Sequence, residues 1–422
     1  MKSMDAPTLP AQLKFLYQEL EREMHENILP FWMKQAADSE NSGYLGRITN
    51  DGIAVKDAPK GSVLNARILW TFSAAYNLTG KTEYLENAQR AYAFFTEYFI
   101  DSKYGGVFWS VTANGEVLND RKQIYAQAFG IYAFAEYYLA TGEQDAILLA
   151  SDLYGFIEKH AFDTNGNGYI EARSRNWDPL DDLRLSEKDA NEPKSMNTHL
   201  HVLEAYTKLF QIWKDDDLGN KLQNLVTIHT DKILSAENGH FNLFFDMDWN
   251  PKSEHYSFGH DIEGAWLITE AARALGLRSI IEKVEHLAVK MATTTLREGI
   301  ADDGSLYNEG LKGKVIDTDR HWWPQAEAII GFINAWEISG DPEFLSAAGK
   351  VWGFVSKHMR HQSGEWWWLV NDDYQPDESQ DLAGEWKCPY HNTRCCIEVM
   401  KRLNRYCTIN YPELLKSLTV KN

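Results

Sequence analysis

The apolar positions of this chain fall into two alternating helical patterns. Between 83 and 95, Tyr84, Leu85, Ala88, Ala91, Tyr92 and Phe95 share one face while Glu83, Glu86, Gln89 and Arg90 take the other, which predicts an amphipathic helix with a solvated side. From Tyr125 to Leu139, through Phe129, Ile131, Tyr132, Phe134 and Ala135, the chain is apolar nearly all round, as a helix enclosed by other helices must be. One inner and one outer helix make a unit. The joints between them read alike: Tyr76-Asn77-Leu78-Thr79-Gly80, Tyr138-Leu139-Ala140-Thr141-Gly142 and Trp336-Glu337-Ile338-Ser339-Gly340, where glycine supplies a left-handed helix stop. After each outer helix a glycine is followed within three residues by an aromatic: Gly43-Tyr44, Gly106-Val107-Phe108, Gly168-Tyr169, Gly239-His240-Phe241, Gly304-Ser305-Leu306-Tyr307 and Gly364-Glu365-Trp366. The glycines are 63, 62, 71, 65 and 60 residues apart, which makes six units. In places the mark reads as a short hairpin, as in Gly106 to Val111 followed by Asn114-Gly115.

Six helix pairs either stack as an open solenoid or close into a toroid. The inner pattern is apolar from the second unit to the last and no repeat has a polar cap, so closure is expected. The predicted fold is all-α, an (α/α)6 barrel of six inner and six outer helices with short β-hairpins in the connecting loops. No Pro/Gly/Ser linker or shift in composition divides the chain, so residues 1–422 are read as one catalytic domain.

Composition narrows the partners. Hydrophobic residues at 44% and charged residues at 24% exclude fibrous and disordered classes. A formal charge of −19 repels phosphate backbones and anionic lipid, so neither nucleic acid nor a membrane surface is an expected partner. Residues Met1 to Gln12 carry Asp5 and two prolines and no apolar run suited to a leader, and no later run could span a bilayer. The expectation is a soluble cytoplasmic protein. The four cysteines, Cys388, Cys395, Cys396 and Cys407, do not resemble a disulfide framework and fit a reduced compartment. Fifteen tryptophans, clustered at Trp322-Trp323 and Trp366 to Trp368, suit a core and also suit sugar rings. Within the latter run alternate residues point to opposite sides, so at most half can face a cavity.

The unusual polar residues share one phase of the repeat, the start of an inner helix. Asn65 and Arg67 precede Ile68-Leu69-Trp70; Tyr125 opens the second inner helix; Asn197, His199 and His201 open the third. His260 and Glu263 open the fourth, Trp323, Gln325 and Glu327 the fifth, His391 and Asn392 the sixth. In a closed toroid these positions converge at one rim. Helix N-termini there stabilise a developing oxyanion and keep a nearby imidazole neutral near pH 7, able to accept a proton. Such a rim suits proton transfer on a sugar whose carbonyl becomes an enediolate. His199 and His201 are two apart on a helix and point different ways, so His201 is read as the cavity residue. Zinc is the other reading of His260-x-x-Glu263 with His201, but the pattern lacks a His-Glu-x-x-His pair and Glu263 reads equally as a partner orienting His260. No metal or cofactor is expected. Asp163 to Ile170 reads like a calcium loop, but its twelfth position is Ser174 where a bidentate Glu is needed, so it is taken as a turn.

The blocks Asn65-Ala66-Arg67-Ile68-Leu69-Trp70, Lys188-Asp189, Met196-Asn197-Thr198-His199-Leu200-His201, Gly259-His260-Asp261-Ile262-Glu263, Trp322-Trp323-Pro324-Gln325-Ala326-Glu327 and Glu385-Trp386-Lys387-Cys388-Pro389-Tyr390-His391-Asn392 resemble those of the cellobiose 2-epimerases, within the N-acylglucosamine 2-epimerase superfamily. The resemblance spans essentially the whole chain. It implies an (α/α)6 barrel and reversible epimerisation at C2 of the reducing-end glucose of β-1,4-linked disaccharides such as cellobiose and lactose, without metal or nucleotide. It implies His260 and His391 as the acid/base pair, with His201 and Arg67 polarising the C1 and C2 oxygens. Asn197, Tyr125 and Glu263 resemble the hydrogen-bonding shell, and Asp189, Trp323 and Trp386 match positions that hold or stack on the sugars. Glu327 and Asn392, at the same phase, complete the expected substrate-binding set. Thr393 departs from the smaller residue, often Gly, expected after the last block. The expected partner is a disaccharide substrate, and the expected assembly a monomer, with a dimer as the alternative.

Rivals of three kinds remain at this level. N-acylglucosamine epimerisation and mannose isomerisation start from the same enediolate. A glycoside hydrolase on the same barrel needs two carboxylates flanking the bond, for which Asp189, Glu263 and Glu327 are candidates, but it leaves three histidines without a task. A noncatalytic sugar-binding protein explains the tryptophans and not the shared phase of the histidines.

Overall fold

The computed structural model describes residues 8–413; residues 1–7, part of the segment read for a leader, and residues 414–422, at the end of the expected 1–422 domain, lie outside the described residues. Six inner helices run Ser62–Thr79, Ile124–Thr141, Met196–Ile212, Phe258–Leu275, Trp322–Ser339 and Tyr390–Asn410. Each packs on the next and the sixth packs on the first, so the ring is closed. Outer helices cover them at 9–34, Thr82–Tyr98, Gln144–His160, 216–233, Arg278–Glu298 and 342–359. This is the (α/α)6 barrel. The 9–34 helix lies against the sixth inner helix, so the pair that completes the ring is built from opposite ends of the chain.

The two helical patterns have the cause read from the sequence. Every residue from Ile124 to Tyr137 of the second inner helix is buried. The outer helix Thr82–Tyr98 buries only a stripe, Tyr84, Ala88, Ala91, Phe94 and Phe95, with Leu85 and Tyr92 at its half-buried edges. At the joints Gly80, Gly142 and Gly340 sit at φ 69°, 72° and 73°, a left-handed conformation that carries the chain from inner to outer helix. The third joint differs: the extended Trp213 (φ −129°) ends its inner helix.

The expected hairpins number two among the described residues, Ser110–Val111 with Val117–Asn119 and Glu309–Leu311 with Lys314–Asp317. The other short strands are stitches between units, because the residues just before one inner helix pair with the segment after the following mark. Lys60–Gly61 pairs with Ser110–Val111, Lys122–Gln123 with Ala172–Arg173, Lys194–Ser195 with Phe244–Phe245, and Arg320–His321 with Leu369–Val370. Ile48 bridges to Ala383 across the closing seam. Beneath the stitches, buried ion pairs tie a mark to the inner helix that follows it: Lys60 to Asp38 at 2.8 Å, Lys122 to Asp101 at 3.0 Å, Lys194 to Asp163 at 2.8 Å and Lys387 to Glu365 at 2.9 Å. The stitches hold the N-terminal ends of the inner helices at one rim, which is where the site lies.

Candidate active site

A cavity of about 560 Å³ opens at that rim. From the inner helices it receives Arg67, Tyr125, Asn197, His201, His260, Glu263, Trp323 and His391, and from the loops Asp189 and Trp386. The helix starts therefore converge as their shared phase requires. Of the Trp366 to Trp368 run only Trp368 lines the cavity; Trp366 is buried and donates to Glu23 at 2.7 Å, while Trp367 packs edge-on against His361.

Of the five histidines that line the cavity, the three on inner helices, His201, His260 and His391, are held differently. His201 places Nδ1 2.9 Å from Glu204, one turn on, and stands edge-on to Tyr125. His391 places Nδ1 2.7 Å from Glu327. His260 Nδ1 is buried with no hydrogen-bond partner, and its ring lies 4.6 Å from that of Trp323, which in turn lies 5.6 Å from His391. Burial, helped by the neighbouring His201, pushes the His260 pKa down to about 3; burial and then Arg67 and Arg394 hold His391 well below the usual imidazole range. Both rings are neutral near pH 7. His199 does not reach the cavity: its Nε2 accepts from the Tyr169 backbone N–H at 2.9 Å and its Nδ1 lies 2.6 Å from the Ser195 carbonyl oxygen. Arg67 donates to the Tyr125 hydroxyl at 2.7 Å and lies over the Phe129 and Tyr390 rings at 4.3 and 4.8 Å, leaving the rest of its fork beside the cavity.

Three expectations need correction. Glu327 does not line the cavity; it lies behind His391, with Oε1 on His391 and Arg394 and Oε2 on Trp266 at 3.0 Å. Asn392 is also behind the wall, its amide donating to Glu365 at 2.6 Å because the buried Glu365–Lys387 pair draws it there. Glu263 does not orient His260: its Oε1 accepts from Arg394 instead, since a buried carboxylate is held most firmly by a guanidinium. Burial and the neighbouring Glu327 raise the Glu263 pKa to about 7.

Arg394 is the residue that sequence reasoning missed. It is fully buried on the sixth inner helix and donates to Glu204, Glu263, Glu327 and the Tyr390 hydroxyl. Burial would raise Glu204, but Arg394 and His201 outweigh it and bring its pKa to about 2, while Glu327 stays raised because burial dominates there. A signal was available: Glu204 and Arg394 each follow a cavity histidine by three residues in the first turns of an inner helix, and a charge in such a place needs a partner. Glu171 was also missed. It accepts from the Ser195 backbone N–H at 2.8 Å and the Thr198 hydroxyl at 2.7 Å, anchoring the start of the helix that carries Asn197 and His201.

Metal ligation has two candidate groups among the described residues. Glu263, Glu327 and His391 bring ligand atoms within 4.8 Å of one another, as do Asp317, Asp319 and His321. In the first group the Arg394 guanidinium already bonds both carboxylates, so a fixed cation stands where an ion would bind. In the calcium-like loop Asp163 is engaged by Lys194, and Trp249 donates to the Gly166 carbonyl, which makes it a buttressed turn.

A family model described as N-acylglucosamine 2-epimerase (GlcNAc 2-epimerase) matches residues 43–395. A cellobiose 2-epimerase of Bacteroides fragilis is 46% identical over 388 residues, which is 92% of this chain and 99% of that protein. A cellobiose 2-epimerase of Dictyoglomus turgidum is 38% identical over 393 residues, 93% of this chain and 100% of that protein. The solved structure of cellobiose 2-epimerase from Bacillus thermoamylovorans superposes with a TM-score of 0.88 at 40% identity, covering 92% of this chain and 99% of that one. An α-mannanase of Bacteroides thetaiotaomicron shares the fold alone, at a TM-score of 0.61 and 12% identity.

Proposed function

This chain belongs to the N-acylglucosamine 2-epimerase family, and from that premise we propose that it is a cellobiose 2-epimerase, interconverting glucose and mannose at the reducing end of β-1,4-linked disaccharides such as cellobiose and lactose. The observation that carries the reading is the pair of neutral imidazoles, His260 and His391, lining one cavity with Arg67 and His201.

The chemistry follows from what these groups can do. One imidazole assists opening of the sugar ring, which exposes the C1 carbonyl. A neutral imidazole then takes the proton from C2, and the electron pair moves onto the C1 oxygen to give an enediolate. Arg67 stabilises that charge, His201 does so once its cavity-facing Nε2 has taken up a proton, and the cavity's inner-helix N-termini add their partial positive charge. Inversion requires a proton to arrive on the opposite face of C2, so the second imidazole, protonated from solvent water, donates it as an imidazolium while the first releases the proton it took to solvent; His260 and His391 come from different helices and serve these two faces. Tyr125 and Asn197 orient the hydroxyls, and Trp323, Trp386 and Asp189 hold the sugar units. Glu263 contributes a carboxyl that carries a proton near neutral pH. Glu327 and Asn392 support the wall and do not touch the sugar. With Arg394 as the fixed cation between Glu263 and Glu327, the reaction is read as metal-independent.

We place the enzyme in the cytoplasm as a monomer acting through a single ring domain. The four unpaired buried thiols support a reducing compartment, and no described helix is long and apolar enough to cross a membrane. Incubation with cellobiose in heavy water tests the assignment. Glucosyl-mannose carrying deuterium at C2 is expected. Free glucose would make the protein a hydrolase, ketose without the epimer an isomerase, and unchanged sugar a binding protein; each of these rejects the proposal.

A further inference from the structure

Of the three cavity imidazoles carried by inner helices, two rest on carboxylates that meet at a single buried guanidinium. His201 leans on Glu204 and His391 on Glu327; both carboxylates accept from Arg394, which itself has no contact with the cavity. We infer that Arg394 is the positioning residue that fixes the tautomers of His201 and His391, by presenting each ring with a carboxylate that can only accept a hydrogen bond.

A neutral imidazole has one N–H and one lone pair, and the partner of the first nitrogen decides which of them the second turns outward. An ionised carboxylate accepts only, so Nδ1 carries the hydrogen and Nε2 turns its lone pair to the cavity, the form that can take a proton. A protonated carboxyl can donate instead. It would give its hydrogen to Nδ1 and leave Nε2–H facing the substrate, a form that cannot act as base.

Three carboxylates packed together without a cation cannot all stay ionised. Of the two carboxylates that support an imidazole, Glu327 is the closer to taking a proton, since burial already raises it and Arg394 is the leading influence against that, whereas Glu204 is held low. Loss of the guanidinium therefore inverts His391 first, although Arg394 lies behind the wall. His260 has no such support, its Nδ1 being unpartnered, so it should not respond. The histidine that depends on Arg394 and the one that does not both lie against Trp323, at 5.6 and 4.6 Å between ring centres.

The kinetic half of the test rests on the epimerase reading; the spectroscopic half does not. In full-length protein labelled with 15N-histidine, long-range 1H–15N correlation at neutral pH reports which ring nitrogen bears hydrogen, with signals assigned by their loss in His201→Asn and His391→Asn. Wild type should show Nδ1–H at both. Arg394→Met should move the hydrogen of His391 to Nε2 and lower kcat by about 10³ to 10⁴, the cost of a wrong catalytic tautomer, with KM changed less than threefold. Arg394→Lys, which keeps a cation, should retain Nδ1–H and recover part of kcat. Should Arg394→Met fail to fold, Arg394→Gln combined with Glu263→Gln removes the guanidinium with one of its carboxyls and should invert His391 in the same way. An unchanged His391 tautomer in the folded variant overturns the inference. Inversion in a chain that never epimerises cellobiose would uphold it while rejecting the proposed activity.

Discussion

His199 and His201 are two residues apart on one helix and should fail in opposite ways when replaced. His199→Leu deletes the acceptor of the Tyr169 N–H and the partner of the Ser195 carbonyl, both buried. Each orphaned group costs about 2 kcal/mol, so the loss is about 4 kcal/mol. For a chain of 422 residues the unfolding entropy near 60 °C is roughly 0.9 kcal/mol per kelvin, which converts that loss into a fall in Tm of about 4 to 5 °C. Activity per folded molecule at 25 °C should stay within about threefold, because His199 does not line the cavity. His201→Ala removes one partner of Glu204, which keeps Arg394 and Tyr390, so Tm should move by less than about 2 °C while kcat falls by 100-fold or more. Calorimetry with parallel assays on cellobiose reads both quantities. An inactive His199→Leu with unchanged Tm, or a fully active His201→Ala, would refute the division of labour.

Two further outcomes follow from buried charge. The Glu263 carboxyl has its folded pKa raised from 4.5 to about 7, so it favours the fold at low pH and loses that advantage as pH rises from about 4.5 through 7. Isosteric Glu263→Gln does not titrate, so urea unfolding should show stability shifting toward the variant by about 3 kcal/mol across that window; a pH-independent difference contradicts the assignment. Lys194→Met leaves Asp163 buried without its cation and should cost about 3 to 5 kcal/mol, whereas Lys194→Met with Asp163→Leu should recover most of it in denaturant titrations; equal loss in both variants argues against the pair.

What could be read in the sequence was whatever is carried by local pattern. The apolar run through Phe129 and Phe134 marked an inner helix, Gly80, Gly142 and Gly340 marked joints, and the shared phase of Arg67, His201, His260 and His391 located one cavity. What could not be read was partnership across the ring. Arg394 meets Glu204 190 residues away and Glu263 131 residues away, and no spacing rule links such positions. Glu327 and Asn392 have the right phase but the wrong facing, since each is drawn inward by a buried charge, Arg394 and Glu365 respectively. The third joint, closed by Trp213 in place of glycine, likewise leaves no signature that a glycine search would find.

The ring is sealed by the 9–34 helix and the sixth inner helix, with Trp32 donating to Glu365 and Trp366 to Glu23 across more than 330 residues. At roughly 5 to 20 residues per second of synthesis, the early helix waits some 20 to 80 s at the ribosome before its mate emerges. Through that interval Trp32, Phe31 and Leu20 are exposed as a sticky stripe on the nascent chain, and no sugar-binding chamber exists until the last wall docks. An unfinished barrel thus carries apolar surface that only its last-made helix can cover, so closure by opposite ends of the chain lengthens the period open to aggregation.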